Sequence, residues 1–307
     1  MKIEAADFAA LVERAVANSH LAHMRPVIEK ELLHYDILFC LDAAGLLDNL
    51  VFQGGTCLRL CYGGNRFSED LDFAGGSGFS SQDIAQIKTC LEDYIGTRYG
   101  LEVNVKEPAS LRKDPRYAEL AIDKWQVSVV TSPGRKDVPQ QRIKIEVANI
   151  PAYTKVPLPL RSNYDFLPDG YEDTLIYTET LDEVLADKLI ALPATQRYIR
   201  HRDIWDIPWL LQQGAQLNLD LVSRKVQDYQ LTDFEDRLNQ RRQSLPHILA
   251  GGEFTAEMRR FLPSDVFDRT LGRDKFLAYL NQTLDKLLTK LQNRLAGKPS
   301  TGGDFVM

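Results

Sequence analysis

The sequence predicts an α+β chain, with a mixed sheet flanked by helices over residues 1–178 and a helical domain over residues 179–307. Short apolar or alternating runs, punctuated by Gly, Pro and Asn, fill the first part and read as strands and turns. Helix-period runs lie on both sides of the first of them. From Thr180 onward the strand-like runs stop, and helical patterning continues through Leu295. At 307 residues the chain exceeds the usual single-domain size, so one large or two unequal domains are expected from length, and the change of pattern near residue 179 is the boundary between two.

Residues 7–18 and roughly 26–47 read as helices. In the second, Val27, Ile28, Leu32, Leu33, Ile37, Leu38 and Leu41 recur at helical spacing, and Gly45 lies near its end. Val51-Phe52-Gln53 is a short buried strand feeding the Gly54-Gly55 turn. Thr56 to Tyr62 follows as a short helix and Phe67 to Phe73 as a second strand. Ser80 with Asp83 forms a capping-box pattern that opens a helix to about Arg98. Strands are expected at Leu101–Val105, Tyr117–Val130 and Arg142–Ile150, the last two joined in a hairpin by Pro133-Gly134. Pro151, Pro157, Pro159 and Pro168 suggest an irregular connection, with a last short strand at Leu175–Tyr177. Thr180 with Glu183 is a second capping-box pattern, and the tail from Gly297 is expected to fray.

With 44% hydrophobic and 26% charged residues, the composition is that of an ordinary globular protein. A net charge of −6 argues against nucleic-acid binding by bulk charge, so such binding would need local basic patches. The N-terminus lacks the uninterrupted apolar core of a signal peptide. No run is long enough to span a bilayer, so no membrane partner is expected. Cys40, Cys57, Cys61 and Cys90 have no CxxC spacing and read as reduced thiols in a cytoplasmic protein.

The chemistry concentrates in Ser68-Glu69-Asp70-Leu71-Asp72-Phe73. On a strand, Asp70 and Asp72 share a face while Leu71 and Phe73 turn to the core. Two parallel carboxylates repel unless a cation neutralises them, and Mg²⁺, or Mn²⁺ in its place, prefers such oxygen donors. A lone Asp-x-Asp is more often a solvated pair. Upstream, however, Phe52-Gln53-Gly54-Gly55-Thr56 is a strand, two glycines and a helix start, a combination that can cradle a phosphate. An NTP held there and bridged by metal to the aspartates forms a coherent site. Glu146, the acid in the alternating run Arg142 to Val147, is the candidate third metal ligand; the alternative is an exposed residue paired with Lys144 or Arg142. Lys188 falls within the apolar stripe Leu181, Val184, Leu185, Leu189 and Leu192. It must either snorkel outward or point at something negative. Asp203 and Asp206 suit a helix start, which Pro208 would distort.

Gly54-Gly55-Thr56-Cys57-Leu58-Arg59 and Arg66 to Phe73 resemble the AbiEii/AbiGii toxin family of the DNA polymerase β-like nucleotidyltransferase superfamily. Leu185 to Leu192 and Arg202-Asp203-Ile204-Trp205-Asp206 are similar to its two downstream motifs, so the resemblance covers roughly residues 25–215. It implies a nucleotidyltransferase fold in the N-terminal part. It also implies metal binding by Asp70 and Asp72, a triphosphate contact by Lys188 from the helical domain and an essential acidic role for Asp203. Gly54, Gly55, Thr56 and Ser68 would line the nucleotide. The expected reaction is transfer of NMP from an NTP to an acceptor hydroxyl, with the tRNA 3′ end as the preferred acceptor and a cognate antitoxin as partner. Nucleotide-dependent modification of protein and a non-catalytic, partner-binding role are the alternatives. Glycosyl transfer would explain the aspartates but not the Gly-Gly turn, Lys188 or Asp203. Lys113 with Arg116, and Arg197, Arg200 and Arg202 with Tyr198, are the candidate RNA-binding clusters.

Overall fold

A mixed seven-stranded sheet organises the first part of the chain in the computed structural model, which describes residues 3–108, 122–135, 137–168 and 170–296. Its strands are β1 (Val51–Gln53), β2 (Leu71–Ala74), β3 (Val103–Lys106), β4 (Ile122–Val129), β5 (Gln141–Ala148), β6 (Val156–Pro159) and β7 (Leu175–Thr178). They are ordered β3-β4-β5-β2-β1-β7-β6. The β4–β5 hairpin pairs antiparallel from Ile122↔Ala148 to Val129↔Gln141, closed by the expected Pro133-Gly134 turn. β2 lies parallel to β5 and antiparallel to β1, which in turn runs parallel to β7.

Alternation gives this sheet two unlike faces. Phe52, Leu71, Phe73, Trp125, Val127, Ile143, Ile145 and Val147 occupy one face and are at most 1% exposed. They join α1 (Phe8–Val16), α2 (Arg25–Ala43) and α4 (Ile87–Tyr99) in a single core. Each fully buried aliphatic or aromatic side chain contributes about 1.5–3 kcal/mol of transfer free energy. The opposite face carries Asp72, Gln53, Glu146, Lys144 and Lys124.

α2 is the most enclosed helix of this part. Thirteen of its 19 residues are buried, including Glu29, Glu31, His34 and Asp36. Buried charge is tolerated only when paired. Glu31 meets Arg59 at 2.8 Å, Asp36 meets Arg98 at 3.1 Å, and Glu29 accepts from Thr131 and Gln141. Burial raises the Asp36 carboxyl to about 6 against the pull of Arg98.

The chain divides into two units, one of Met1–Thr180 with Arg260–Ser264, the other of Leu181–Arg259 with Asp265–Met307. The short return of residues 260–264 belongs to the first unit. Phe261 is fully buried in its core and accepts from the Phe67 N–H at 2.9 Å, while the Ser264 N–H donates to the His20 carbonyl. The second unit contains α5 (Leu181–Ala194), α6 (His201–Gln212), α7 (Leu219–Asp228), α8 (Phe234–Ala250), α9 (Gly252–Arg259), α10 (Ser264–Arg269) and α11 (Asp274–Leu295). Leu185, Leu189, Ile204, Leu238, Leu284 and Leu288 are among its fully buried residues.

Several local expectations are corrected. The helix after β1 is α3 (Gly54–Leu60), so it starts on the glycines themselves. β2 begins at Leu71, which leaves Asp70 just before the strand. The Ser80–Asp83 capping box is present but opens a 3-10 turn, and α4 starts only at Ile87. Residues 156–159, expected to be irregular because of their prolines, form β6. It is an edge strand, the position where proline is tolerated. Pro208 lies within α6. Residues 117–121 of the expected fourth strand, the tail from Gly297, and Lys113 with Arg116 lie outside the described residues.

Candidate active site

Strand pairing brings two of the three expected metal-binding acids side by side. Asp72 on β2 is in register with Glu146 on the parallel β5, and with Gln53 on β1. Partners in register point to the same face, so Lys124, Glu146, Asp72 and Gln53 form one row across four strands. Asp70 stands two residues before Asp72. Its Oδ1 accepts from the Lys144 backbone N–H at 3.1 Å, and the Lys144 ammonium is 3.5 Å from its Oδ2. Glu146 is paired with Lys124 at 2.8 Å rather than with Lys144 or Arg142.

These carboxylates are half-buried, with 28% of the Asp70 side chain and 23% of the Glu146 side chain exposed, and each has a lysine at hand. Among the described residues, no three His, Cys, Asp or Glu side chains stand in a ligating arrangement. The donor set nevertheless suits a divalent cation. Asp70, Asp72 and Glu146 offer only hard oxygen ligands, two of them in register, and the lysines now beside two of the acids supply the neutralisation that a metal would replace.

The glycines serve the site's own side chains. Gly54 has φ +77°, a left-handed conformation that favours glycine, and a Cβ there would stand 2.6 Å from Asp72 Oδ2. A Cβ on Gly55 would collide with Arg66 Nη2 and lie 3.0 Å from Ser68 Oγ. Thr56 is 1% exposed, and its hydroxyl donates to the Asp70 carbonyl. It therefore holds the backbone of the aspartate. Ser68 is also buried.

The segment before Asp70 is clamped from α2 by residues that the sequence reading missed. The Lys30 ammonium meets the Glu69 carboxylate at 2.7 Å, and His34 Nε2 lies 3.0 Å from the Glu69 carbonyl oxygen. A carbonyl only accepts, so Nε2 carries the proton. Burial lowers the His34 pKa to about 4 despite that hydrogen bond, which keeps the ring neutral. No local signal announces these roles, because Lys30 and His34 sit about 35 residues from the peptide they hold.

In the helical unit, Lys188 does point at negative charge. It is 5% exposed, and its ammonium lies 2.9 Å from Asp203 Oδ1 and 2.8 Å from Asp206 Oδ2. Arg200 caps the other Asp203 oxygen. Burial opposes the Asp203 charge, but Arg200 and then Lys188 outweigh it and hold the carboxyl well below the usual carboxylate range. Arg200, offered as a basic surface residue, is thereby engaged in an ion pair, while Tyr198 is 58% exposed. A second such centre was missed. Lys225 on α7 is 1% exposed and meets Glu183 at 2.8 Å and Asp187 at 2.7 Å. Its position, four after Leu221 and three after Val222, carries the same signal that singles out Lys188.

A family model described as the nucleotidyl transferase AbiEii toxin of a type IV toxin–antitoxin system matches residues 36–294. The chain belongs to the AbiEii family. It is accordingly a nucleotidyltransferase toxin of a type IV toxin–antitoxin system, and a cognate antitoxin is implied. No curated protein matches this AbiEii chain. Among solved structures it is similar to the nucleotidyltransferase toxin MenT4 from Mycobacterium tuberculosis H37Rv. The TM-score is 0.57 at 18% identity, over 96% of this chain and 94% of that one, a likeness of fold. It also matches JHP933 from Helicobacter pylori, with a TM-score of 0.47 at 20% identity, over 88% of this chain and 97% of that one. No helix among the described residues is long and apolar enough to cross a membrane.

Proposed function

We propose that this toxin transfers NMP from an NTP to the 3′-terminal hydroxyl of tRNA in the cytoplasm and so blocks translation, under the control of its cognate antitoxin. The observation that carries this reading is the acidic face of the sheet. Asp72 and Glu146 lie in register with Asp70 two residues away, and the Asp72 carboxylate stands against Gly54 at the start of α3. In the reaction the acceptor hydroxyl oxygen attacks the α-phosphorus. The bond from that phosphorus to the bridging oxygen of the β-phosphate breaks, and pyrophosphate leaves.

Asp70, Asp72 and Glu146 are the residues that would hold Mg²⁺, which when bound supplies neutralisation of the charge building on the phosphoryl oxygens. Glu146 accepts the hydroxyl proton. Lys124 and Lys144, already beside the acids, hold their charge in check when no substrate is present. Lys188 stabilises the triphosphate. Asp203 and Asp206 keep its ammonium charged and fixed in direction, which is the essential role assigned to Asp203. Gly54, Gly55 and Ser68 let the nucleotide approach.

The test is incubation with Mg²⁺ and each labelled NTP in the presence of total cellular RNA and protein. The expected result is label at the tRNA 3′ end, released as a single nucleotide and dependent on Mg²⁺. Label in protein alone would replace the RNA acceptor with a protein one. Label in neither, with the antitoxin absent, would overturn the reading.

A further inference from the structure

We infer that Tyr177, with the Lys155 ammonium on its ring, forms a stacking platform for an unpaired nucleotide near the 3′ end of the acceptor RNA. This rests on the proposed transfer to RNA and adds the subsite that would hold the acceptor.

The platform shares a sheet face with the acids. Phe52 pairs with Thr178, and both belong to the core face, so Tyr177, one residue earlier, lies on the face of Gln53 and Asp72. Val51, opposite Ala74 on β2, stands between Tyr177 and the acidic row. Two strand spacings across and one residue pair along place Tyr177 roughly 12 Å from Asp72 along the sheet. That is the reach of a nucleotide or two.

The chemistry suits a base and its phosphate. Tyr177 is 39% exposed, and Lys155 Nζ lies 3.6 Å from its ring centroid. A π-face beside a cation accepts any base and can neutralise the adjoining phosphate. Three of the four exposed large apolar side chains among the described residues, Tyr153, Leu175 and Tyr177, fall on or beside this one ribbon. Singly such residues are ordinary, but Leu175 and Tyr177 stand two apart on one strand and so expose apolar area on the same face.

The edge of the ribbon argues against a peptide strand as that partner. The Leu160 N–H donates to the Thr174 carbonyl, so even-numbered positions of the outer strand face β7 and the odd-numbered ones face outward. Those are Pro157 and Pro159, which have no N–H to offer a docking strand.

The experiment measures transfer kinetics with a short single-stranded RNA as acceptor, varying acceptor and NTP separately, for the parent, Tyr177→Ala, Tyr177→Phe and Lys155→Met. Tyr177→Ala is expected to raise the acceptor KM about tenfold or more while the NTP KM stays within about twofold. Tyr177→Phe, which keeps the ring, should restore most of the loss, and Lys155→Met should weaken the acceptor's salt dependence. An unchanged acceptor KM in Tyr177→Ala, with the parent active on RNA, overturns the platform and leaves the transferase reading intact. A parent protein that labels only protein, or nothing, overturns both. Equal rises in acceptor and NTP KM would mark a merely structural role and overturn the platform.

Discussion

Acids meet lysines in both units, but the two settings differ in burial. On the sheet, Asp70 and Glu146 are roughly a quarter exposed, and each has a partly exposed lysine beside it. In the helical unit, Lys188 is gripped by Asp203 and Asp206 where all three are at most 5% exposed. Half-solvated ion pairs contribute only about 0–1 kcal/mol, so their partners can be exchanged for a metal or a phosphate at little cost. Buried ones cannot be broken without stranding a charge. The sheet thus keeps its acids available for chemistry, and the helices use theirs to fix one ammonium.

That contrast can be broken most forcefully at Lys188. Lys188→Met should destabilise the protein by about 3–5 kcal/mol, because Asp203 and Asp206 lose a buried counter-charge. Urea unfolding of the full chain measures it, and a loss below about 1 kcal/mol would place the cluster with the sheet pairs. Asp70→Asn should do the reverse. Transfer falls about a hundredfold or more, while stability changes by no more than about 1 kcal/mol.

Gly54→Ala sharpens the comparison at the turn. A side chain there combines a left-handed backbone with a collision on Asp72, which should cost about 1–3 kcal/mol together with transfer activity. The pH dependence of the Asp203 pair follows from its depressed pKa. Its stabilisation is complete above the unfolded value of 3.8 and is lost as pH falls through the lower folded value. The stability gap between the parent and Asp203→Asn should therefore hold at pH 5 and shrink only below 3.8, as acid-unfolding curves would show. Smallest of all, Lys124→Met should change stability by about 0–1 kcal/mol, even though it frees Glu146.

Much of this contrast could be read from the residues. The alternation around Leu71, Phe73, Ile143 and Ile145 defined the core face, and Lys188 stood out as a cation in an apolar stripe. What stayed hidden depends on contacts distant in sequence. The register of Asp72 with Glu146 is set by the pairing of strands some 70 residues apart. α2 carried a recognisable apolar rhythm, yet its acids are buried as well, against Arg59, Arg98, Thr131 and Gln141, which no local pattern reveals. β6 was concealed because its prolines suit an edge strand as readily as a loop.

The return of residues 260–264 bears on how this protein could be taken apart. The first unit is completed by a peptide encoded far downstream, with Phe261 fully buried in its core and bonded to Phe67. A fragment ending at Thr180 would carry a vacancy the size of that ring, a loss on the order of 3–5 kcal/mol for an aromatic core residue. A first unit expressed by itself would therefore need the 260–264 peptide supplied to it, on the same chain or in trans.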